Sequence, residues 1–436
     1  MSDATVNLWG RKIGAVSLVE GQPAAIFQYQ REFARSAIQI APLTMPLRVE
    51  PYSFPALSYK SFKGLPGLLA DSLPDKFGNA LIDTWLASQG RPPQSADSVE
   101  RLCYIGTRGM GALEFEPVQG PERAPIEDIR IESLVKLASE VLSKRKQFVA
   151  SVKAGYEEEG LLELLSVGMS AGGARAKAVI AWNPRTNEIR SGQVKAPPGF
   201  EHWLLKFDGV SGNRDKESLD DPQGHGATEF AYSLMAREAG IAMMKCRLFE
   251  ENGRRHFMTR RFDRPAGNFK LHLQSLGAIA HFDFNEPGAY SYEQAMMVTR
   301  QLGLSIEEIE EQFRRMAFNV VARNQDDHVK NIAFLMDQGG NWSLSPAFDL
   351  TFAYNPAGDW TAQHQMTLNG KRDGFGLQDF EHCAESISMK RGRAVAILGE
   401  VRDAVANWPQ HAGAAGVDEG DIRRIGGTHR LGLWRS

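Results

Sequence analysis

Asp326-Asp327-His328-Val329-Lys330-Asn331 is the stretch on which the reading of this chain turns. Before it, Ile306, Ile309, Phe313, Met316 and Val320 recur at helical spacing and predict an amphipathic helix. Ser305, with Glu308 three residues on, predicts a capping box at its start. After it, Ile332 to Met336 and Trp342 to Leu344 flank Gly339-Gly340 and predict a hairpin, which leads to Pro346-Ala347-Phe348-Asp349. A carboxylate, an amide five residues on, and a second carboxylate beyond a hairpin can divide one task. Asp326 accepts or orients the proton of an attacking hydroxyl, while Asn331 and Asp349 hold a divalent cation against phosphates. The spacing favours Asp326 over Asp327 as the base. Lys330 is placed to neutralise charge that builds on a transferred phosphoryl group.

Two other readings stay open on these residues alone. Asp326, Asp327 and Asn331 also suit a turn that follows a helix. Asp326, His328 and Asp349 also suit a metal-dependent hydrolase, although no second His-rich cluster supports a two-metal site.

Residues upstream tip the balance toward phosphoryl transfer, because protein kinases place the same roles in the same order. Gly168-Met169-Ser170-Ala171-Gly172-Gly173-Ala174-Arg175-Ala176-Lys177 is a Gly-rich loop before an apolar strand. Its backbone N–H groups can cradle anionic oxygens, although it is not a Walker A sequence. Lys206 ends the run Trp203-Leu204-Leu205, where a strand lysine can hold nucleotide phosphates, and Glu229 on a following helix can orient it. Phe257 to Phe262 is the expected connector between lobes, with backbone groups able to bind adenine; Arg260 to Arg264 also suits a solvated charge run.

Bulk properties set limits. The 436 residues are 42% hydrophobic and 24% charged, as in ordinary globular proteins, and the net charge of −3 gives no global pull toward nucleic acid or membrane. Cys103, Cys246 and Cys383 form no CxxC pair, which argues against a disulfide framework or zinc site and suits a reducing cytoplasm. No signal peptide is read at Met1 to Thr5, and no apolar run reaches the ~20 residues of a membrane span.

Three segments are expected along the chain: 1–120, 121–265 and 266–436. The first opens with strands around Val6 and from Ile13 to Val19, then a helix from Lys76 to Ala87. Leu102 to Phe115, with Gly106, Gly109 and Gly111, suggests strand-turn-strand. In the second, a helix is expected over Ile131 to Leu142, and Val179 to Trp182 and Trp203 to Phe207 read as strands. Asp208 to Gly226 reads as a mobile loop and Thr228 to Ala239 as a helix closed by Gly240. The third segment reads as mostly helical. The fold class is α/β (α+β), two-lobed and kinase-like.

On these residues, the chain resembles the HipA family, serine/threonine kinase toxins of bacterial type II toxin–antitoxin systems, over nearly its whole length. Ser170 to Lys177 is similar to the family's Ser-x-x-Gly-Ala-x-x-Lys loop, Arg261-Phe262-Asp263-Arg264 to its connector, and His272 to Leu276 to the segment after it. Asp326 to Asn331 is similar to the Asp-x-His-x-Lys-Asn catalytic loop, and Pro346 to Leu350 to the metal-binding segment. Gly64 to Asn79 and Gly106 to Pro117 resemble the N-terminal HipA subdomain.

The resemblance implies a β-rich N-terminal subdomain, an all-helical C-terminal lobe, and ATP with Mg²⁺ between the lobes. It implies Asp326 and Lys330 as catalytic residues. Ser170, Gly172, Gly173, Lys177, Lys206, Glu229, Arg260, Phe262, His328, Asn331 and Asp349 would meet the nucleotide, with Asn331 and Asp349 on the metal. Ser170 is implied as an autophosphorylation site that switches the enzyme off. A helix-turn-helix antitoxin (HipB-like) is the implied partner, with operator DNA bound mainly through it, and an aminoacyl-tRNA synthetase is the implied class of substrate. A small-molecule kinase on the same scaffold and a non-catalytic corepressor are the alternatives. Ala176 and Arg260 stand where relatives often carry acidic residues, which bears on loop docking and nucleotide contacts.

Overall fold

Alternating apolar residues begin the chain: Ala4, Val6 and Leu8 turn inward from β1 (Ser2–Leu8), and all three are buried. The computed structural model describes residues 1–120, 129–143, 158–168, 175–193, 195–210, 224–265 and 269–433. β1 pairs with β2 (Arg11–Leu18) and β4 (Leu113–Glu116), and β3 (Ile26–Tyr29) completes an antiparallel sheet in the order β3-β2-β1-β4. The expected helix runs over Lys76–Ser88, capped by Asp75, whose carboxylate accepts from the Gly78 N–H at 2.7 Å.

Strand-turn-strand over Leu102 to Phe115 is corrected. Ser98–Ile105 is a helix, capped by Asp97 accepting from the Glu100 N–H at 2.9 Å, and only Leu113–Glu116 is a strand. Val99, Leu102 and Cys103 are buried along one helical side, and the glycines fall beyond the helix end.

A second antiparallel sheet has the order β6-β5-β7-β9-β8. Its strands are β5 (Lys177–Trp182), β6 (Ile189–Ser191), β7 (Glu201–Lys206), β8 (Cys246–Glu251) and β9 (Arg254–Arg260). The helix His225–Glu238 packs against it, and Gly240 follows in the left-handed region at φ +79°. Of the loop expected before that helix, residues 211–223 lie outside the described residues. A Cβ on Gly226 would sit 2.1 Å from the Arg255 carbonyl oxygen, so glycine is what lets the helix start approach β9.

The expected connector is shifted. Phe257 to Arg260 is the end of β9, paired with β7, and the chain leaves the sheet only at Arg261. Nor is the charge run solvated, since Arg261, Asp263 and Arg264 are all buried. Asp263 accepts from Arg261 (2.9 and 2.7 Å), from Arg264 (2.7 Å) and from the Gly111 N–H (2.7 Å), which ties the connector to the N-terminal subdomain.

Among the described residues two apolar cores result. The first joins both sheets with the helices Ile131–Ser143 and Glu158–Val167 through Leu134, Ala138, Leu161 and Leu164. The second is built from the helices Tyr292–Gln301, Ile306–Val321, Leu377–Ser386 and Arg393–Ala406. The Ser305–Glu308 capping box is present. The His225–Glu238 helix puts Ala227, Ala231, Tyr232 and Met235 into this second core, so by packing it sits with the third segment.

The helical lobe also carries a three-stranded sheet, β10 (His272–Ser275), β11 (Ala333–Met336) and β12 (Trp342–Leu344). Met336 joins the first core, Phe334 the second, and Trp342 packs against both. No helix among the described residues is long and apolar enough to cross a membrane.

Burial of three histidines gives the fold an acid sensitivity. His202, His256 and His272 are each held down at about 4 by burial. An unfolded histidine takes up its proton near pH 6.5, the native one only near pH 4, so stability falls as pH drops through that window. Each contributes on the order of 2 kcal/mol to the loss at pH 5. Denaturant midpoints measured near pH 5 are expected well below those near pH 7.5, and equal midpoints would contradict the burial argument.

Candidate active site

Lys177 and Lys206 stand directly opposite each other on β5 and β7, so their side chains share one face of the sheet. Two ammonium groups placed in this way repel, and three carboxylates from three other segments gather around them. Lys206 Nζ donates to Glu229 Oε1 at 2.6 Å and also bonds Asp349 Oδ1. Lys177 Nζ lies 3.8 Å from Asp75 Oδ2, both side chains being buried.

Charge distribution follows from these pairings. Burial works against the charge of Asp349, yet Lys206 and Lys177 hold its carboxyl down at about 2. Burial pushes Glu229 up, with Lys206 opposing. Lys206, despite burial, is held above the ordinary lysine value by Asp349 and Glu229. Asp349 also sits in the left-handed region at φ +53°, which Asp tolerates better than most residues with a side chain. Its side chain is 31% exposed against 3% for Glu229, so Asp349 is the more accessible of the two carboxylates on Lys206.

Backbone pairing brings the two acidic segments side by side. The Gln325 N–H donates to Ala353 O at 2.9 Å, and the Ala353 N–H returns to Arg323 O at 3.1 Å. From this anchor Asp326 emerges partly exposed, with its Oδ1 accepting from Trp360 Nε1 at 2.6 Å. Asn331 Nδ2 donates to the Asp326 carbonyl at 2.7 Å, which leaves the amide oxygen as the acceptor end of that side chain. A cavity lined by His328, Asn331, Ile332, Ala347, Phe348 and Leu350 shows the two segments converging. His328 Nε2 lies 3.8 Å from Asp326 Oδ1, and Lys330 Nζ sits 4.6 Å from the Phe284 ring centre. Asp349 and Asn331 supply hard oxygen donors, the set that suits Mg²⁺.

Asp327 has a different place. Its carboxylate accepts from Tyr292 Oη (2.5 Å), His364 Nδ1 (2.7 Å) and the Gln365 N–H (2.7 Å) in the interior. Although burial favours the neutral acid, these partners hold its carboxyl below the usual range. It braces the loop from within.

Arg260 is not brought to the cluster. It pairs with Trp203, three residues before Lys206, and so lies on the opposite face of the sheet; it reaches Pro265 O at 3.5 Å. Phe262 packs against Phe348, ring centres 5.6 Å apart and planes tilted by 42°, beside Asp349. Ser170, Gly172 and Gly173 lie outside the described residues. Among the described residues no three His, Cys, Asp or Glu side chains converge as a metal cluster, so the hydrolase ligand set of Asp326, His328 and Asp349 gains no support. Sequence reasoning missed Trp360, Asp75 and Asp71; only the Asp75 cap before an apolar helix left a local signal.

The fold and this cluster define a two-lobed, kinase-like protein. Its residues 169–408 match the HipA-like C-terminal domain and residues 4–116 the HipA N-terminal domain. The chain belongs to the HipA family. No curated protein matches it. HipA of Shewanella oneidensis MR-1, solved in a toxin–antitoxin complex with HipB and its operator DNA, superposes with TM-score 0.66 at 14% identity. That match covers 97% of this chain and 95% of the other, and it supports the fold. The Helicobacter pylori proinflammatory kinase CtkA aligns over 52% of this chain and 87% of its own at 9% identity, with a TM-score of 0.30.

Proposed function

We propose that this chain is a Mg²⁺- and ATP-dependent protein serine/threonine kinase that acts as a HipA-type toxin. The observation that carries the reading is Lys206 held between Glu229 and Asp349, with His328, 3.8 Å from Asp326, among the charges that act on Asp349. When bound, Mg²⁺–ATP supplies the γ-phosphoryl group. Asp349 and the Asn331 amide oxygen would hold the cation, and Lys206 and Lys177 the phosphates. Asp326 would take the proton of the acceptor hydroxyl as the hydroxyl oxygen bonds to the γ-phosphorus and the bond from that phosphorus to the bridging oxygen breaks, releasing ADP. Lys330 offsets charge on the equatorial oxygens.

By extension from the family resemblance, the acceptor is a translation component such as an aminoacyl-tRNA synthetase. Phosphorylation of Ser170 in cis would add charge of roughly −2 to the phosphate loop and switch the enzyme off. A HipB-like antitoxin would neutralise the toxin in the cytoplasm and carry most of the operator contacts, as suits a chain of net charge −3.

Purified protein incubated with labelled Mg²⁺–ATP and cell lysate should label a protein band. Label confined to a small metabolite would replace this reading with a small-molecule kinase, and no transfer at all would remove it.

A further inference from the structure

Segment 71–75 of the N-terminal subdomain touches both the lysine pair of the sheet and the loop that carries Lys330. At one end, Asp75 caps its own helix and lies 3.8 Å from Lys177. At the other, Asp71 accepts from the Ser275 N–H at 2.6 Å and from Ser275 Oγ at 2.9 Å, and it lies 4.0 Å from Lys330 Nζ. Ser275 in turn caps the Leu276–Ile279 helix, accepting from the Ala278 N–H at 3.1 Å. The Leu276 N–H donates to Ile332 O at 2.7 Å, one residue past Asn331. Docking here is close: a Cβ on Gly67 would lie 2.2 Å from the Ala278 carbonyl oxygen, and the Gly67 N–H donates to His281 Nε2 at 3.1 Å.

We infer that Asp75 and Asp71 are positioning residues of the transfer site, contributed from outside the two lobes. Asp75 sets Lys177 on the nucleotide side, and Asp71 sets Lys330 and the loop before Ile332 on the acceptor side. The inference rests on the phosphoryl-transfer reading above. Without the Asp75 carboxylate, Lys177 loses the partner 3.8 Å away that fixes where its ammonium sits, so it no longer meets the phosphates in place and nucleotide affinity falls. Without the Asp71 charge, Lys330 and the Ser275 cap lose an anchor, so the rate falls while nucleotide binding persists.

The test uses the full chain as wild type, Asp75→Asn, Asp71→Asn, the double variant and Asp75→Glu. Binding is read with a fluorescent, non-hydrolysable ATP analogue plus Mg²⁺, and transfer is read as kcat and KM for ATP. Asp75→Asn is expected to weaken analogue binding and raise KM about tenfold with kcat nearly unchanged, the size of one displaced charge contact. Asp71→Asn is expected to lower kcat about tenfold with analogue binding unchanged, and the double variant to show both effects. Asp75→Glu, which keeps the charge, should recover most of the affinity.

A merely structural role would lower the melting temperature and the active fraction without this split. Analogue binding by Asp75→Asn, or kcat of Asp71→Asn, within about twofold of wild type would overturn the inference. Should Asp75→Asn fail to fold, Asp75→Ser, which keeps a helix cap without the charge, takes its place: weaker analogue binding supports the inference, and binding within about twofold of wild type sinks it. Wild-type protein that binds no analogue would instead sink the functional reading itself.

Discussion

Asp326→Asn is expected to lower the initial rate of phosphoryl transfer by about 10²- to 10⁴-fold, the usual contribution of a positioned general base. The exchange is isosteric, and an amide oxygen can still accept from Trp360 Nε1, now 2.6 Å from the carboxylate. The side chain is 31% exposed, so little packing is disturbed and the melting temperature should hold. Rate loss with an unchanged fold therefore reports chemistry. The neighbouring Asp327 supplies the contrast, because its carboxylate braces Tyr292, His364 and the Gln365 N–H inside the loop. Labelled-phosphate initial rates with melting curves make the measurement, and transfer at the wild-type rate by Asp326→Asn would remove it from the role of base.

Asp263→Ala is expected to cost about 3–5 kcal/mol of stability, because it strips the carboxylate from two buried guanidinium groups. Asp263 is fully buried, and its neighbours hold its carboxyl far below the ordinary range although burial opposes the charge. Among the described residues, Arg261 and Arg264 would keep backbone acceptors such as Gly109 O, at 3.4 and 3.2 Å. The Gly111 N–H would also lose its acceptor. Because these groups join the connector to the N-terminal subdomain, loss should appear as earlier undocking in a denaturant titration. An unchanged midpoint would mean that the buried pair adds nothing over its surroundings.

What could be read from the chain alone was whatever is local or ordered along it. The Ser305–Glu308 box, the hairpin after Asn331 and the strand ending at Lys206 each rest on neighbours a few residues apart. Their succession was enough to align Lys206, Glu229 and Asp349, which the fold brings into contact. Strand phase was harder to read. Arg260 looked like part of the connector, but pairing with Trp203 turns it to the other face of the sheet. Glycines after Ile105 suggested a hairpin because turn residues are easier to see than a short helix with one apolar side. Asp71 meets Ser275 from 204 residues away, and Trp360 meets Asp326 across a separate loop, so neither leaves any periodic trace.

Strand β11 has a mechanical consequence. Phe334 and Met336 lie on the same short strand, two positions apart, yet one is rooted in the helical core and the other in the sheet-rich core. Swinging one half of the molecule against the other would have to pull one of these side chains from its socket. The halves should therefore travel as a single block near the reaction centre. Accommodation of different guests would then fall to surface loops and not to a jaw-like closing of the whole body.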